Sequence, residues 1–568
     1  MARDPFLLLV LAVVVAWWRH RRRLRRGYYQ SWYVFSRRPP RHRARWLRLR
    51  LHLRLHPAPG VASVAELLWH WGRLASYRQS RRTRPSLGRW QRIRNPAEHS
   101  LFLGRAQWFL AVRVPVQEHG AVIGPPRSNK SALLSRLIMA APGPVVSTSS
   151  KPDLFMLTSG VRARRGPVWV FNPQGIGGIA SNVRWSPLAG CQVPATAIRR
   201  GIALAAAVST EGTEESGFWR REAAAGLQGL FAAAAIAGRD FRAVGQWAGS
   251  PRTTPDAAAI LAAAGHQEWA DKIAELNGPA EKTAQTIRTV MSSALAFLRD
   301  PVLADAVLPG PGEEFDIDEF LTCGGTLYML ARGDGDDSVL GPLFAALACE
   351  IQYRAAQIAS AMPGQRLDPT LLLALDEVTQ ICPVPLPAWL ADSGGQGICI
   401  WTAFHGLAQM RARWQHAGAQ TVIDTCNVKV VMPGLADADT IGDLSRLCGQ
   451  VAWGRERGGW RGWHEVLSAD MIRRLPAGFP LLLRGSHAPV IVSVAKGWKY
   501  REYRRLRRAG QHTLTMSAEA QQPDPRVLAG VTSGPAPEIN GRPHWPDSPA
   551  TPGGQGYRGD GTAWWADQ

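Results

Sequence analysis

His119-Gly120-Ala121-Val122-Ile123-Gly124-Pro125-Pro126-Arg127-Ser128-Asn129-Lys130-Ser131 is the stretch on which the fold turns. An apolar run, Ala121 to Ile123, stops at Gly124, and a tight polar turn follows. Lys130-Ser131 then opens a segment, Ala132 to Ala141, with the composition of a helix. Strand, loop and helix in this order form the setting of a phosphate-binding loop. Backbone N–H groups at the helix start face the phosphates, Lys130 reaches the β/γ oxygens and Ser131 holds Mg²⁺. The Walker A pattern has Gly where this chain has Asn129. Asn accepts a left-handed backbone better than most residues, so the loop can still close, with a side chain crowding the nucleotide. A plain turn is the competing reading of the motif alone.

Leu371 to Glu377 (LLLALDE) shifts the balance. Five apolar residues ending in adjacent acids read as a central buried strand that delivers carboxylates to its C-terminal edge. Asp376 then holds Mg²⁺ through water, and Glu377 polarises the attacking water. A strand ending in a charged turn would look the same, but Lys130-Ser131 upstream makes the nucleotide reading the stronger one.

Charge is concentrated at one end. The 568-residue chain carries a formal net charge of +23. Residues 1–100 hold 23 Arg, no Lys and three acids (Asp4, Glu66, Glu98), a net of +20, which leaves about +3 for the rest. Such an end suits membrane or DNA phosphates, while the body is an ordinary domain of size sufficient for a large core. Phe6 to Trp18 is an unbroken apolar run of thirteen residues closed by Arg19-His20-Arg21-Arg22-Arg23. It is short for a spanning helix, but Ala2 to Pro5 and snorkelling arginines can extend it, or it can lie in the interface. A signal peptide would carry its charge before the apolar core. Arginines after it place the following chain in the cytoplasm. Leu47 to Leu55 alternates Leu with Arg or His, and Arg78 to Arg94 adds seven arginines, a surface for anionic lipid or nucleic acid or a solvated cationic linker. The seven cysteines are scattered without a CxxC pair, as reduced core thiols are.

Further strands are expected at 144–149, 167–172, 325–331, 397–403, 428–432 and 480–483, with helices between them. From 194 to about 298 the chain is alanine-rich with no strand signal, which predicts an all-helical insertion packed around Phe218-Trp219. Val64–Tyr77 reads as a helix. Ala495 to Arg508 is aromatic and basic, a nucleic-acid contact or a solvated helix. Residues 511–568 are rich in Pro, Gly, Ser, Gln and Asp and read as a disordered tail.

The chain resembles the type IV secretion coupling proteins, the conjugative DNA-transfer ATPases of the TraG/VirD4 class. Leu103-Gly104 and the Gly124–Ser131 loop resemble the family's upstream segment and its GPTRSGKT/S. Lys151-Pro152-Asp153-Leu154 is a loose DPKGELY, and Val170-Phe171-Asn172-Pro173 is similar to VFDP. Phe218-Trp219 fits the entry to the family's all-α domain, and Leu373 to Glu377 fits its Walker B strand. His405 to Met410 stands where QSxxQL is found, with Asn427, Gly434 and Asp437 to Thr440, and then Ser468 to Pro476, following in order. The resemblance spans roughly residues 100–500. It implies an α/β chain with a P-loop NTPase (RecA-like) core divided by a helical insertion. The expected segments are an anchor at 1–18, a basic juxtamembrane region at 19–99, core at 100–193 and 311–510, the insertion at 194–310 and the tail at 511–568.

The same resemblance implies ATP and Mg²⁺ on Gly124, Pro125, Pro126, Arg127, Ser128, Asn129, Lys130 and Ser131, with Asp376 as the second metal residue. Glu377, Lys130 and His405 become the catalytic set, His405 standing in place of a nucleotide-sensing Gln. The partners implied are DNA, a relaxase-type cargo protein, secretion-channel subunits and an anionic inner or plasma membrane. The working state is a homo-hexamer with its bulk in the cytoplasm. Two other readings stand beside it. One is an FtsK-like ring motor for double-stranded DNA or protein export, against which the helical block inside the core argues. The other is a catalytically weak nucleotide-binding scaffold, which Asn129 and His405 favour.

Overall fold

The computed structural model describes residues 60–209, 216–277, 281–333, 338–453 and 462–514. The apolar run 6–18, the alternating Leu/Arg segment and the chain beyond 514 lie outside the described residues. No helix among the described residues is long and apolar enough to cross a membrane.

The central runs of the sequence become strands because they are apolar on both faces. In chain order the strands are β1 (Ser100–Arg105), β2 (Ala111–Pro115), β3 (Gly120–Ile123), β4 (Val145–Ser149), β5 (Val168–Phe171), β6 (Thr326–Leu330) and β7 (Leu371–Asp376). They continue with β8 (Ile398–Phe404), β9 (Val428–Val431), β10 (Gln450–Trp453), β11 (Gly462–Glu465), β12 (Leu481–Arg484), β13 (His487–Ile491) and β14 (Ser493–Val494). Nine form one sheet in the order β13-β12-β9-β3-β8-β7-β4-β6-β5. From β9 to β5 every pairing is parallel, and β12 and β13 close one edge antiparallel. Successive residues of β7 go to opposite faces. Leu371, Leu373 and Leu375 join the core on one side, Leu372 and Ala374 the core on the other. A strand covered on both faces is therefore apolar at every position rather than alternating.

Two smaller sheets went unread in the sequence. Strands β1, β2 and β14 form a three-stranded antiparallel sheet, and β10 pairs with β11. The loop strand β3 thus has two strands before it, both in the smaller sheet. The expected single helix Val64–Tyr77 is also broken: Val64–Glu66 runs into a wide turn at Leu67–Trp71, and a new helix, Arg73–Thr83, starts after Gly72. Ser63 and Glu66 cap the first piece reciprocally.

Between β5 and β6 the described chain carries no named strand. Its helices include Pro194–Ala206, Ser216–Ile236, Phe241–Gly249, Thr254–Ala263, Gln267–Glu275 and Glu281–Ala294. Their shared core holds Phe231, Phe241 and Phe297, all buried. Phe218 touches Trp219 edge-on and is itself exposed, whereas Trp219 is partly buried against this core, so one member of the expected aromatic pair packs the block and the other lies at its rim. Glu350, on the helix Gly341–Ala361 against the sheet, is held by Arg199 and Arg200 of the first helix at 3.2 and 3.5 Å. The basic segment near residue 500 is likewise packed. In the helix Arg501–Arg508, Tyr503 and Leu506 are buried against Met139 and Val161. Order also continues past 511: Thr513 Oγ1 donates to the Met156 carbonyl at 2.7 Å and the Leu514 N–H to Ser159 Oγ at 3.1 Å.

Two buried polar side chains clamp strand ends. Arg162 is fully buried and donates to Thr326 Oγ1 (2.7 Å) and to the carbonyls of Ala141 (2.8 Å), Gly143 (2.8 Å) and Gly324 (3.2 Å). Arg162→Met would leave those acceptors unsatisfied. Chemical denaturation is expected to show a loss of roughly 3 kcal/mol or more. His119, 5% exposed, accepts the Ile400 N–H on Nδ1 at 3.1 Å, and burial pulls its pKa down to about 4. Its folded-state value lies below its unfolded one, so its contribution is complete above pH 6.5 and is lost as pH falls towards 4. The loss amounts to up to roughly 3 kcal/mol. Stability measured against pH should therefore fall less steeply in this window for His119→Gln than for the parent.

Candidate nucleotide-binding site

The parallel order brings separate parts of the sequence to one edge. Ile123 is level with Phe404, and Ala403 with Asp376, so β3, β8 and β7 end side by side. Gly124, His405 and Glu377 are the next residues out, at the carboxyl edge where open α/β sheets bind ligands. The Gly124 N–H donates to the Phe404 carbonyl at 3.1 Å. A Cβ at Gly124 would lie 2.4 Å from Met432 Cβ, so only glycine lets the loop leave the strand here.

The loop turns through two left-handed residues, Arg127 (φ 62°) and Asn129 (φ 71°, ψ 27°). Asn129 thus takes the backbone conformation that glycine supplies in the Walker A pattern. The helix Lys130–Ala140 begins immediately after it. Pro126 and Arg127 are exposed, Pro125, Ser128, Asn129 and Ser131 half-buried, and Gly124 and Lys130 buried.

Lys130 is turned back on the loop. Its ammonium donates to the carbonyls of Gly124 (2.7 Å) and Pro125 (3.0 Å) and to His405 Nδ1 (3.0 Å). Burial lowers its pKa, and the charges of Asp376 and Glu377 partly restore it. His405 accepts from this ammonium, so its ring is neutral at that nitrogen. Burial, then the neighbouring Lys130 charge, holds its pKa below the usual imidazole value. Gln409 Oε1 accepts the backbone N–H of His405 at 3.2 Å.

Ser131 Oγ donates to Asp376 Oδ2 at 3.0 Å, which joins the first turn of the loop helix to the end of β7. Burial pushes Asp376 up to about 6, and the Ser131 bond and Lys130 oppose that rise. Its carbonyl accepts from Thr148 Oγ1 at 2.9 Å. Thr148 was missed in the sequence, although a polar STS ending on an otherwise apolar strand marked it. Glu377 is half-buried in the left-handed region (φ 51°, ψ 39°), ahead of the short helix Val378–Ile381.

These residues fit a nucleotide with Mg²⁺. A hydroxyl and a carboxylate already share a hydrogen bond, the donor set a phosphate-bridging Mg²⁺ uses in company with few protein ligands. Ser128 Oγ is buried without a hydrogen-bond partner among the described residues, a polar group awaiting one.

The fold and this edge define a doubly wound α/β protein with a phosphate-loop geometry. Residues 370–476 match the family model described as the TraM recognition site of TraD and TraG. Among solved structures, the bacterial conjugative coupling protein TrwB in a trigonal form with sulphate is similar. It has 19% identity and a TM-score of 0.53, over 68% of this chain and 88% of that one. TrwB in complex with ADP and Mg²⁺ matches at 19% identity and a TM-score of 0.51, over 67% and 87%. TrwB with the non-hydrolysable ATP analogue ADPNP matches at 19% and 0.50, over 66% and 86%. Comparison with curated proteins finds no match. The chain is therefore similar to the TraG/VirD4 class of coupling proteins, in sequence over residues 370–476 and in fold over about two thirds of its length.

Position 129 offers a direct check of the loop. Asn129→Gly should fold with stability within about 1 kcal/mol of the parent, and Asn129→Val should lose roughly 1–2 kcal/mol, because a β-branched residue resists a left-handed backbone. Thermal unfolding of the three proteins measures both.

Proposed function

We propose that this chain is a membrane-tethered ATPase that couples ATP hydrolysis to the recruitment and translocation of DNA, or of a relaxase–DNA complex, into a type IV-like secretion channel. The observation that carries this reading is the Ser131–Asp376 hydrogen bond beside Lys130, at the carboxyl ends of β3 and β7, the parallel strands on either side of β8. The likeness of residues 370–476 to the TraM recognition site of TraD and TraG supports the cargo side of the reading. The TrwB complexes with ADP, Mg²⁺ and ADPNP support the nucleotide side by analogy of fold.

In this reading the loop Gly124–Ser131 cradles the phosphates. Lys130 exchanges the two carbonyls and His405 for phosphate oxygens, so its charge moves from a self-contained bond set to the ligand. Ser131 and Asp376 hold Mg²⁺, which supplies charge neutralisation on the phosphates when bound. Glu377 orients the attacking water, and His405, released by Lys130, reads whether the phosphates are in place. A homo-hexamer, with residues 1–18 as membrane anchor and the helical block facing cargo, completes the arrangement.

A second reading rests on the Lys130 bonds themselves. A lysine satisfied by two carbonyls and a histidine suits a loop that binds nucleotide weakly and turns it over slowly, as a cargo-recruiting scaffold would. Steady-state ATP hydrolysis by the full chain, with and without single- and double-stranded DNA, separates the two. For a motor, DNA raises the rate, and Lys130→Ala and Glu377→Gln each lower it by about a hundredfold or more. An equally low, DNA-insensitive rate in all three proteins would leave the scaffold.

A further inference from the structure

Exposed apolar side chains concentrate near the start of the described chain. Leu68, Trp69, Leu74, Trp90 and Ile93 are 43–70% exposed, on the wide turn Leu67–Trp71, the helix Arg73–Thr83 and the short helix Arg89–Arg94. Single apolar residues at a surface are ordinary, but a group on neighbouring elements calls for an account. The three elements are tied together. Arg73 Nη2 donates to the Ile93 carbonyl at 3.2 Å, and the Arg78 guanidinium lies 4.0 Å from the centre of the Trp69 ring. The longer helix buries Ser76, Ser80 and Thr83, so Leu74, Arg78 and Arg81, at helical spacing, face the other way.

The same stretch is basic. Residues 64–94 hold eight Arg against one acid, Glu66, which is turned back on Ser63. Among the described residues, Arg84 alone of the eight enters an ion pair, with Asp368 and Glu98. Arg81, Arg89 and Arg94 are exposed, and no hydrogen bond or ion pair engages their side chains among the described residues. Beyond Arg73 the charge continues. Arg105, Arg113 and Arg136 gather on the Phe102 ring, 5.4–6.0 Å from its centre. Burial, then the charges of Arg136, Arg73 and Arg105, pull the Arg113 pKa down to about 10. Crowding of like charges is unfavourable until a counter-charge arrives from outside.

The mixture of residue types selects the partner. A nucleic-acid strand would answer the arginines but leave the aliphatic Leu68, Leu74 and Ile93 unused, and one face of Trp69 is already stacked by Arg78. An anionic membrane surface uses all of them. Indoles sit at the level of the headgroups, Leu and Ile enter the acyl boundary, and Arg stems run along them to guanidinium groups on lipid phosphate. The chain also enters here. The Ala62 N–H donates to the Pro489 carbonyl at 3.0 Å and Gln107 Nε2 to the Ala62 carbonyl at 2.8 Å, just ahead of the wide turn. The apolar run 6–18 precedes this point in the sequence.

We propose that residues 68–94 form a membrane-docking face that lies on anionic phospholipid, its apolar side chains in the interface and its arginines on the lipid phosphates. The inference goes beyond the anchor at residues 1–18 and rests on the tethered reading only in that a membrane is at hand. An anchor holds the chain to a bilayer, whereas this face sets which side of the folded body meets it.

The test mixes the full-length chain with vesicles of phosphatidylglycerol and phosphatidylcholine, or of phosphatidylcholine alone, and reads hydroxyl-radical oxidation residue by residue by mass spectrometry. Trp69 and Trp90 should be oxidised about threefold or more slowly on the anionic vesicles than in solution. Phe218, exposed at the rim of the helical block, should keep its rate. Arg81→Gln, Arg89→Gln and Arg94→Gln combined in one chain should fold as the parent does and lose most of the protection. Flotation of the same samples reports the tether separately. A chain that floats with both vesicle types, yet is oxidised at Trp69 and Trp90 as fast as in solution, keeps the tether and overturns the docking face. A chain that floats with neither overturns both. Protection that the arginine variant retains in full overturns the docking face as well. So does slow oxidation already in solution, which marks a cover by the chain's own first residues or by a second copy. Equal protection by a short single strand of DNA without vesicles would reassign the face to nucleic acid.

Discussion

The insertion of β8 between β3 and β7 is the constraint on which the site depends. The loop strand and the acid strand are not neighbours in the sheet, and neither meets the other without the strand between them. Parallel pairing on both sides of β8 aligns three strand ends to the same level, and no local sequence rule could have set that level. Once aligned, Ser131 meets Asp376 and Lys130 meets His405 across some 245 and 275 residues of chain. The helical block between β5 and β6 is what this arrangement tolerates. It enters and leaves on the far side of β6, so its hundred residues do not disturb the register of the strands that carry the chemistry.

Charge inside the site is held under tension. Burial disfavours the ionised form of Asp376 and the protonated form of Lys130 alike, and each partly rescues the other. Lys130 finds its remaining support in carbonyl dipoles and a neutral imidazole rather than in a carboxylate contact. Such a set is favourable enough to hold the side chain in place, yet it contains no full opposite charge. A phosphate offers one, so the exchange from resting to liganded contacts runs downhill in electrostatics without a large rearrangement of the backbone.

The fold was legible where burial on both faces writes an unbroken apolar run. LLLAL, GICIW and VKVV marked β7, β8 and β9 for that reason, and the abrupt polar endings of the first and of HGAVI marked the edge of the sheet. The small sheet of β1, β2 and β14 was not legible, because its third strand, Ser493–Val494, is two residues long and lies nearly four hundred residues from its partner β1. Phe218-Trp219 was legible only in part: Trp219 packs partly buried against the helical core, while Phe218 is exposed. Aromatic residues mark a core only by composition, and the fully buried ones of this block are Phe231, Phe241 and Phe297. In the site, the motif residues could be read from order alone. Thr148 and the orientation of Lys130 toward His405 could not, since both are set by which strands become neighbours.

The seam at the end of the described chain has a mechanical side. Gln511 and His512 lie against Gly160 so closely that a Cβ there would fall 2.5 and 2.6 Å from their carbonyl oxygens. Thr513 and Leu514 are bonded to the same helix, Asp153–Arg162. That helix follows β4, whose Thr148 steadies Asp376, and it ends in the buried Arg162 that gathers three strand connections. A pull on the chain beyond residue 514 would therefore be borne first by a few hydrogen bonds along a glycine-smooth helix face, and they would act as a fuse. They would part before the load reached the sheet.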